Sequence, residues 1–403
     1  MERPTSVLSV TQQRRRPLGL TLAGYLRGMD WILLAATMAL IVYGFFMLYS
    51  ATQSHPKGMT PGDFMESQAW GLGLGLVAMF ALSVFKYRWF ARWQMYIYGG
   101  GLFLLVLTLI VGSGGEEVGS NRWLNLGIFK MQTAELVKFM LVLSFGAVLA
   151  EGIELRDRFR FVLLCVLYVL IPGVLIFLQP DLGTSLCLGA ILVCMLVVWG
   201  IRPLHLGILG TTGLLLGVLV LRVLPRLGLS LLREYQMRRL TLFLDPLKDP
   251  RGTGYQLIQS KIAVGSGMFS GKGYMKGTQS TYGFIPEHHT DFIFAVIGEE
   301  LGFVGAAILI GLFAIVAWRA FRICRLSTDM YGKLISAGIA GLILFQVFTN
   351  IGMTTGIMPV VGLPLPFVSF GSASLIIFLM GIGLLESVHV HSVAGLRRRA
   401  RQG

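Results

Sequence analysis

The chain has 403 residues, 55% of them hydrophobic and 13% charged, with a formal net charge of +14. A soluble domain carries about twice that charged share, so the composition excludes an ordinary soluble protein and defines an all-α polytopic membrane protein. The surplus of bases would suit nucleic acid, but its placement along the chain argues against that.

A helical span takes roughly 20 apolar residues. Ten runs qualify, at approximately 30–51, 67–85, 94–112, 131–150, 161–179, 182–200, 205–225, 291–318, 333–355 and 372–390. Strands of a membrane barrel would be shorter and would alternate polar with apolar residues, which these runs do not. Residues 1–28 read as a polar, basic extension, 29–391 as the transmembrane domain and 392–403 as a basic tail. A long connection over about 226–290 separates the seventh and eighth runs. No cleavable signal, internal repeat or low-complexity segment stands out. Cys165, Cys187 and Cys194 lie in apolar runs and Cys324 in a basic loop, so no disulfide framework is expected.

Ten spans put both termini on one side. With the N-terminus cytoplasmic, the inner segments hold twenty Lys and Arg, whereas the short outer loops hold only Lys57, Arg122 and Lys130. That asymmetry follows the positive-inside rule. It leaves both termini in the cytoplasm and removes any need for a nucleic-acid partner. Ten further bases sit in or near the long outer connection, among them Arg226, Arg233, Arg238, Arg239, Lys261, Lys272 and Lys276. Two readings suit them: anionic headgroups of the membrane itself, or an anionic lipid diphosphate drawn into a groove. Arg226 to about Leu244 mixes bases with leucines and reads as an amphipathic helix on the membrane surface.

Ionisable groups at membrane depth are costly and mark sites or pairs. Glu135 and Lys138 lie three apart in the fourth run, which permits either a self-neutralising pair or a polar track facing a cavity. Asp181 follows Gln179-Pro180 in a tight turn, where it can cap the next helix or hold a ligand. Arg122 and Trp123 precede the fourth run; the indole suits an interface anchor or a sugar-stacking face, and the guanidinium suits a phosphate. Asp291, at the head of the eighth run, can be a helix cap or a general base in a partly dry site. Glu287, His288, His289 and Asp291 match no standard zinc spacing. A loosely held divalent cation is easier to accommodate there. Downstream, GIMPVVGLPLPFVSFGSAS carries three prolines within eight residues, so it reads as a re-entrant loop buried in protein. Ser369 and Ser372 are available to donate to it.

These segments together resemble the SEDS family of bacterial cell-wall polymerases, RodA and FtsW. The likeness covers Met29 to His391 and rests on NRWLNLG, QTAELVKF, QPDLGTS, FLDPLKDPRGTGYQLIQSKIA, PEHHTDFIFAVIGEELGFVG and GLPLPFVSFG. The GKG and GTQS elements beside Lys261 lean toward RodA. Thr133-Ala134 and Ser369-Phe370-Gly371-Ser372-Ala373 depart from the usual Pro-Ser and Ser-Tyr-Gly-Gly-Ser.

The resemblance implies an inverting peptidoglycan glycosyltransferase that polymerises lipid II into β-1,4 glycan on the outer face of the cytoplasmic (inner) membrane, serving cell elongation and rod shape. It implies Asp291 as the acid-base residue. Trp123, Glu135, Lys138 and Asp181 match cavity-lining positions, and Arg122, Lys261, Lys272 and Ser369 join them as candidate substrate ligands. No organic cofactor is implied; a divalent cation, magnesium or manganese, is admissible, with no metal ligand assigned. The implied partners are a class B penicillin-binding protein and the lipids, lipid II and undecaprenyl diphosphate. The alternatives are a lipid II flippase, a scaffold that recruits a transpeptidase, and an FtsW-like division paralogue.

Overall fold

The computed structural model describes residues 25–26, 28–53, 60–113, 122–125, 130–227, 236–237, 239, 242–243, 245–246, 252–285 and 288–400. Ten helices among them are long and apolar enough to cross a membrane. They are α1 (Trp31–Ala51), α2 (Pro61–Val84), α3 (Gln94–Val111), α4 (Thr133–Glu151), α5 (Phe159–Leu178), α6 (Leu182–Trp199), α7 (Pro203–Arg226), α8 (Ile293–Leu326), α9 (Met330–Thr355) and α10 (Ser372–Ala400). A two-stranded hairpin, β1 (Trp123–Asn125) and β2 (Lys130–Gln132), precedes α4, and a loop helix (Thr253–Ser266) follows α7. Most of the amphipathic helix expected up to about Leu244, as well as Glu287 and the first 24 residues, lies outside the described residues.

Local chemistry sets several boundaries. The Asp30 carboxylate accepts the Leu33 N–H at 3.2 Å and starts α1. Thr60 and Asp63 form a reciprocal capping box around Pro61, so α2 begins at Pro61 rather than near residue 67. α8 runs to Leu326, not to about 318 as hydropathy suggests. Arg319 and Cys324, expected in a cytoplasmic loop, therefore lie buried within it. Arg319 is tolerated there because its Nε donates to Asp30 Oδ2 at 2.8 Å, and the Asp30 N–H in turn donates to Glu386 Oε2 of α10 at 2.9 Å.

The core is carried by α4, α9 and α10, whose apolar windows are 78%, 72% and 78% buried; α7, at 6%, stands at the edge. Packing is tight where small residues allow it. A Cβ built on Gly71 of α2 would lie 2.7 Å from Ser372 Cα of α10, the close helix approach that glycine permits in membranes.

α8 has 34 residues, about 51 Å at helical rise, against roughly 30 Å of hydrocarbon. The excess is resolved by a break at Gly302 (φ 62°, ψ −156°), a backbone state that glycine adopts at little cost. Loop backbone is stitched into the break: Lys272 N donates to Glu299 O and Gly273 N to Glu300 O, both at 3.0 Å, while Phe303 N donates to Met268 O at 2.9 Å. The proline-rich stretch between α9 and α10 is irregular, as its prolines predict. Val361, Leu363, Leu365, Phe367 and Val368 are all buried, which is how non-helical backbone survives at membrane depth.

Candidate active site

Five pieces of chain meet at one end of the bundle: the hairpin, the α5–α6 turn, the connection after α7, the segment before α8 and the irregular stretch after α9. They enclose a cavity of about 270 Å³ lined by Arg122, Trp123, Gln132, Asp181, Gln236, Arg239, Thr290, Asp291 and Gly362, with Val360, Val361, Pro364 and Phe370 among its apolar walls. The hairpin pairs Trp123 with Gln132, so one strand register delivers an indole and an amide to the same rim.

Asp181 serves two purposes. Its Oδ1 accepts the Thr184 N–H at 2.9 Å, capping α6. Its Oδ2 accepts from Thr184 Oγ1 and from Gln132 Nε2, each at 2.8 Å, and the carboxylate borders the cavity. The Arg122 guanidinium is partly committed, with Nε donating to Gln179 O at 3.0 Å and Nη2 bonding Pro180 O. It thereby fixes the turn that presents Asp181.

Asp291 does not cap α8, whose N-cap position is Phe292 and has no side-chain cap bond. Its carboxylate instead faces the cavity. A Cβ built on Gly362 (φ 71°) would sit 3.2 Å from Asp291 Oδ2 and 3.6 Å from Arg239 Nη1. An acid and a base thus both border Gly362 in the lining of one cavity. The hydrogen bonds of the backbone here tie Thr290 O to Ser369 Oγ at 2.6 Å and Asp291 O to Asn350 Nδ2 at 2.8 Å.

Asp291, Asp181, Trp123 and Arg122 are therefore brought together. The other candidates are placed elsewhere. Lys138 Nζ donates to Glu135 Oε1 at 2.5 Å, and both groups are buried within α4 and do not border the cavity. Lys272 pairs with Glu299 at 2.6 Å and donates to Thr278 Oγ1 at 2.8 Å, clamping the loop to α8. Lys261 is exposed on the loop helix, its stem against Gly356. Ser369 is buried, accepting the Leu365 N–H at 2.8 Å while donating to Thr290 O. Sequence reasoning singled out neither Gln132, Gln236 and Gly362 nor the importance of Arg239 over the lysines. Asn350 was also missed, although an amide in the apolar run of α9 is a usable signal. Among the described residues, no group of three or more His, Cys, Asp or Glu is arranged to hold a metal ion. A larger groove of about 400 Å³ between α2 and α10 is lined by Asp63, Glu66 and Trp70, with no base among the described residues of its lining.

A polytopic helical protein with an acid-base cavity at one end of its bundle is the class that fold and site define. The sequence model of the FtsW, RodA and SpoVE cell cycle proteins matches residues 30–394. The chain is 36% identical over 366 residues to the peptidoglycan glycosyltransferase MrdB of Escherichia coli K12, covering 90% of this chain and 94% of that one. It superposes with a TM-score of 0.73 and 35% identity on a chain from a structure described as "Structural coordination of polymerization and crosslinking by a peptidoglycan synthase complex", covering 90% of this chain and 98% of that one. The rod shape determining protein RodA of Thermus thermophilus matches with a TM-score of 0.64 and 29% identity, covering 90% and 96%. The protein belongs to the FtsW/RodA/SpoVE family.

Proposed function

We infer that the protein is a peptidoglycan glycosyltransferase acting in cell-wall elongation. The kinship to MrdB and RodA supports that activity, and the observation that carries its mechanism is Asp291 beside Arg239 in one cavity. The substrate is a lipid-linked disaccharide, lipid II, with undecaprenyl diphosphate as the leaving group. The Asp291 carboxylate takes the proton from the acceptor 4-hydroxyl as its oxygen attacks the anomeric carbon. The carbon–oxygen bond to the diphosphate breaks, and its electron pair leaves on the lipid phosphate. Attack from the opposite face inverts the centre and gives a β-1,4 link. A base of this kind contributes about 10²–10⁴-fold.

Arg239 and the uncommitted part of the Arg122 guanidinium meet the diphosphate as its charge grows. This assigns to loop arginines the task that sequence proximity had offered to Lys261 and Lys272. Trp123 supplies a stacking face for a sugar ring and Asp181 an acceptor for its hydroxyls. Ser369 supports the Asp291 segment, and the Glu135–Lys138 pair anchors the helix beneath. A divalent cation, magnesium or manganese, would be held loosely by Asp181 and Asp291, and bound there it would supply positive charge against the leaving group.

The distribution of Lys and Arg supports a cytoplasmic placement for both termini, and hence a cavity on the outer face of the cytoplasmic membrane. A class B penicillin-binding protein is the partner that would crosslink the product, a reading supported by the synthase complex to which the chain is similar. The test is glycan synthesis by purified protein from labelled lipid II. Asp291→Asn should lower polymer formation at least about 100-fold while leaving folding and lipid binding intact. Undiminished chains from that variant would remove Asp291 from the mechanism.

A further inference from the structure

Three consecutive carbonyls, His289, Thr290 and Asp291, each receive a donor from outside their own segment. Phe370 N–H reaches His289 O at 3.0 Å, Ser369 Oγ reaches Thr290 O at 2.6 Å, and Asn350 Nδ2 reaches Asp291 O at 2.8 Å. The Phe370 donor is backbone and the Ser369 hydroxyl has one proton to give. Asn350 differs, because its Nδ2 carries two hydrogens and also donates to Leu363 O at 2.8 Å. Leu363 follows Gly362, the residue that borders the Asp291 carboxylate and the Arg239 guanidinium. One amide nitrogen therefore holds both lips of the gap in which the carboxylate sits.

The cost of this arrangement is visible. Asn350 is fully buried, and its Oδ1 is buried without a hydrogen-bond partner. A buried acceptor left unpaired costs about 1–3 kcal/mol, so packing alone gives no reason for an amide in this apolar stretch of α9. Turning the amide over would not help: it would aim the oxygen at two carbonyls and lose both donors. The two acceptors thus fix which way the amide points.

We propose that Asn350 is a positioning residue that sets the distance between the Asp291 carboxylate and the Gly362–Leu363 wall by donating to the carbonyls of Asp291 and Leu363. The proposal rests on the reading of Asp291 as the base. A displacement of about 1 Å in a reacting group can cost of the order of 10²-fold in rate, and the donors on Asp291 O and Leu363 O leave the carboxylate little freedom to drift. Asn350 itself touches no substrate.

The experiment compares Asn350→Asp, Asn350→Ala, Asp291→Asn and Ser336→Ala in the full-length protein with lipid II, reading kcat, KM, the acidic limb of the kcat–pH profile and the melting temperature. Ser336 is buried in the same helix, where its hydroxyl bonds Gly332 O. The expected result is a loss of roughly 10- to 100-fold in kcat for both Asn350 variants, with KM within about twofold of the parent and a displaced acidic limb. Ser336→Ala should match the parent and Asp291→Asn should be inactive. Asn350→Asp has the native shape and reads the same quantities if Asn350→Ala does not assemble. Parental kcat and pH profile in the Asn350 variants, with Asp291→Asn inactive, would overturn the positioning role and leave the base in place. Losses that track melting temperature and raise KM would overturn it in favour of plain packing. An active Asp291→Asn would overturn the base, and the positioning role with it.

Discussion

Gly362, at a φ of 71°, borders both the Asp291 carboxylate and the Arg239 guanidinium, with a built Cβ 3.2 Å from Asp291 Oδ2 and 3.6 Å from Arg239 Nη1. Any Cβ there meets both groups and also pays the left-handed backbone cost, about 1 kcal/mol or more. Gly362→Ala should therefore lower kcat/KM for lipid II by at least about tenfold, since 1.4 kcal/mol of misfit is already that much, while the protein keeps its fold. Parental kinetics in that variant would mean that the gap is wider than the geometry indicates. At this scale the sequence was partly legible. Asp291 and Asp181 stand out because carboxylates at helix mouths are few in an apolar chain. Lys272 was misleading: it was offered as one of the bases for a lipid diphosphate, yet the charge it meets is Glu299, 27 residues away in sequence and 2.6 Å away in space. Arg239 lay unmarked among ten similar bases, because no linear rule says which of them the fold turns inward.

The break in α8 is the least expected element. Hydropathy placed a span here correctly and could not see that the helix breaks at Gly302, because its window averages Glu299 and Glu300 with the apolar residues around them. The physical signal was length: more apolar chain than a bilayer needs. Gly302→Ala forces φ 62° on a residue with a side chain and puts its Cβ 2.4 Å from Gly271 N. This should release the Met268–Gly273 loop from the helix. The expected outcome is a lower melting temperature together with new protease cleavage within that loop, at a cost of about 1–3 kcal/mol. An uncut loop and an unchanged melting temperature would show that the clamp does not need the glycine. The other spans were legible to within a few residues except α10, which runs on to Ala400 through residues expected in the basic tail, and the earlier start of α2 came from a capping box that apolar runs do not report. The re-entrant stretch was legible from its prolines alone.

For the molecule as a whole, charge and burial divide the labour. Outside the long connection after α7, most bases fall in the segments at the end opposite the reactive cavity, whose own lining holds Arg122 and Arg239, while α4, α9 and α10 fill the space between. The ion pair within α4, Glu135 with Lys138, is buried, leaves Glu135 Oε2 without a hydrogen-bond partner and does not line the cavity. A flippase would need a hydrophilic route joining both ends, and the described residues of these central helices pack against one another instead. A solid middle has a further consequence for how a greasy substrate is handled. On the proposed reading, the isoprenoid anchor of a lipid-linked substrate would stay among the lipids while only its sugar-phosphate head enters the cavity beside Asp291. Chemistry should then be nearly blind to anchor length. Lipid II carrying a shorter polyprenyl chain, presented in the same vesicles, should turn over with a kcat within about threefold of the natural substrate, because the anchor shapes partitioning and not the transition state. A steep fall in kcat with each isoprene removed would reveal a tail-reading groove on the protein after all.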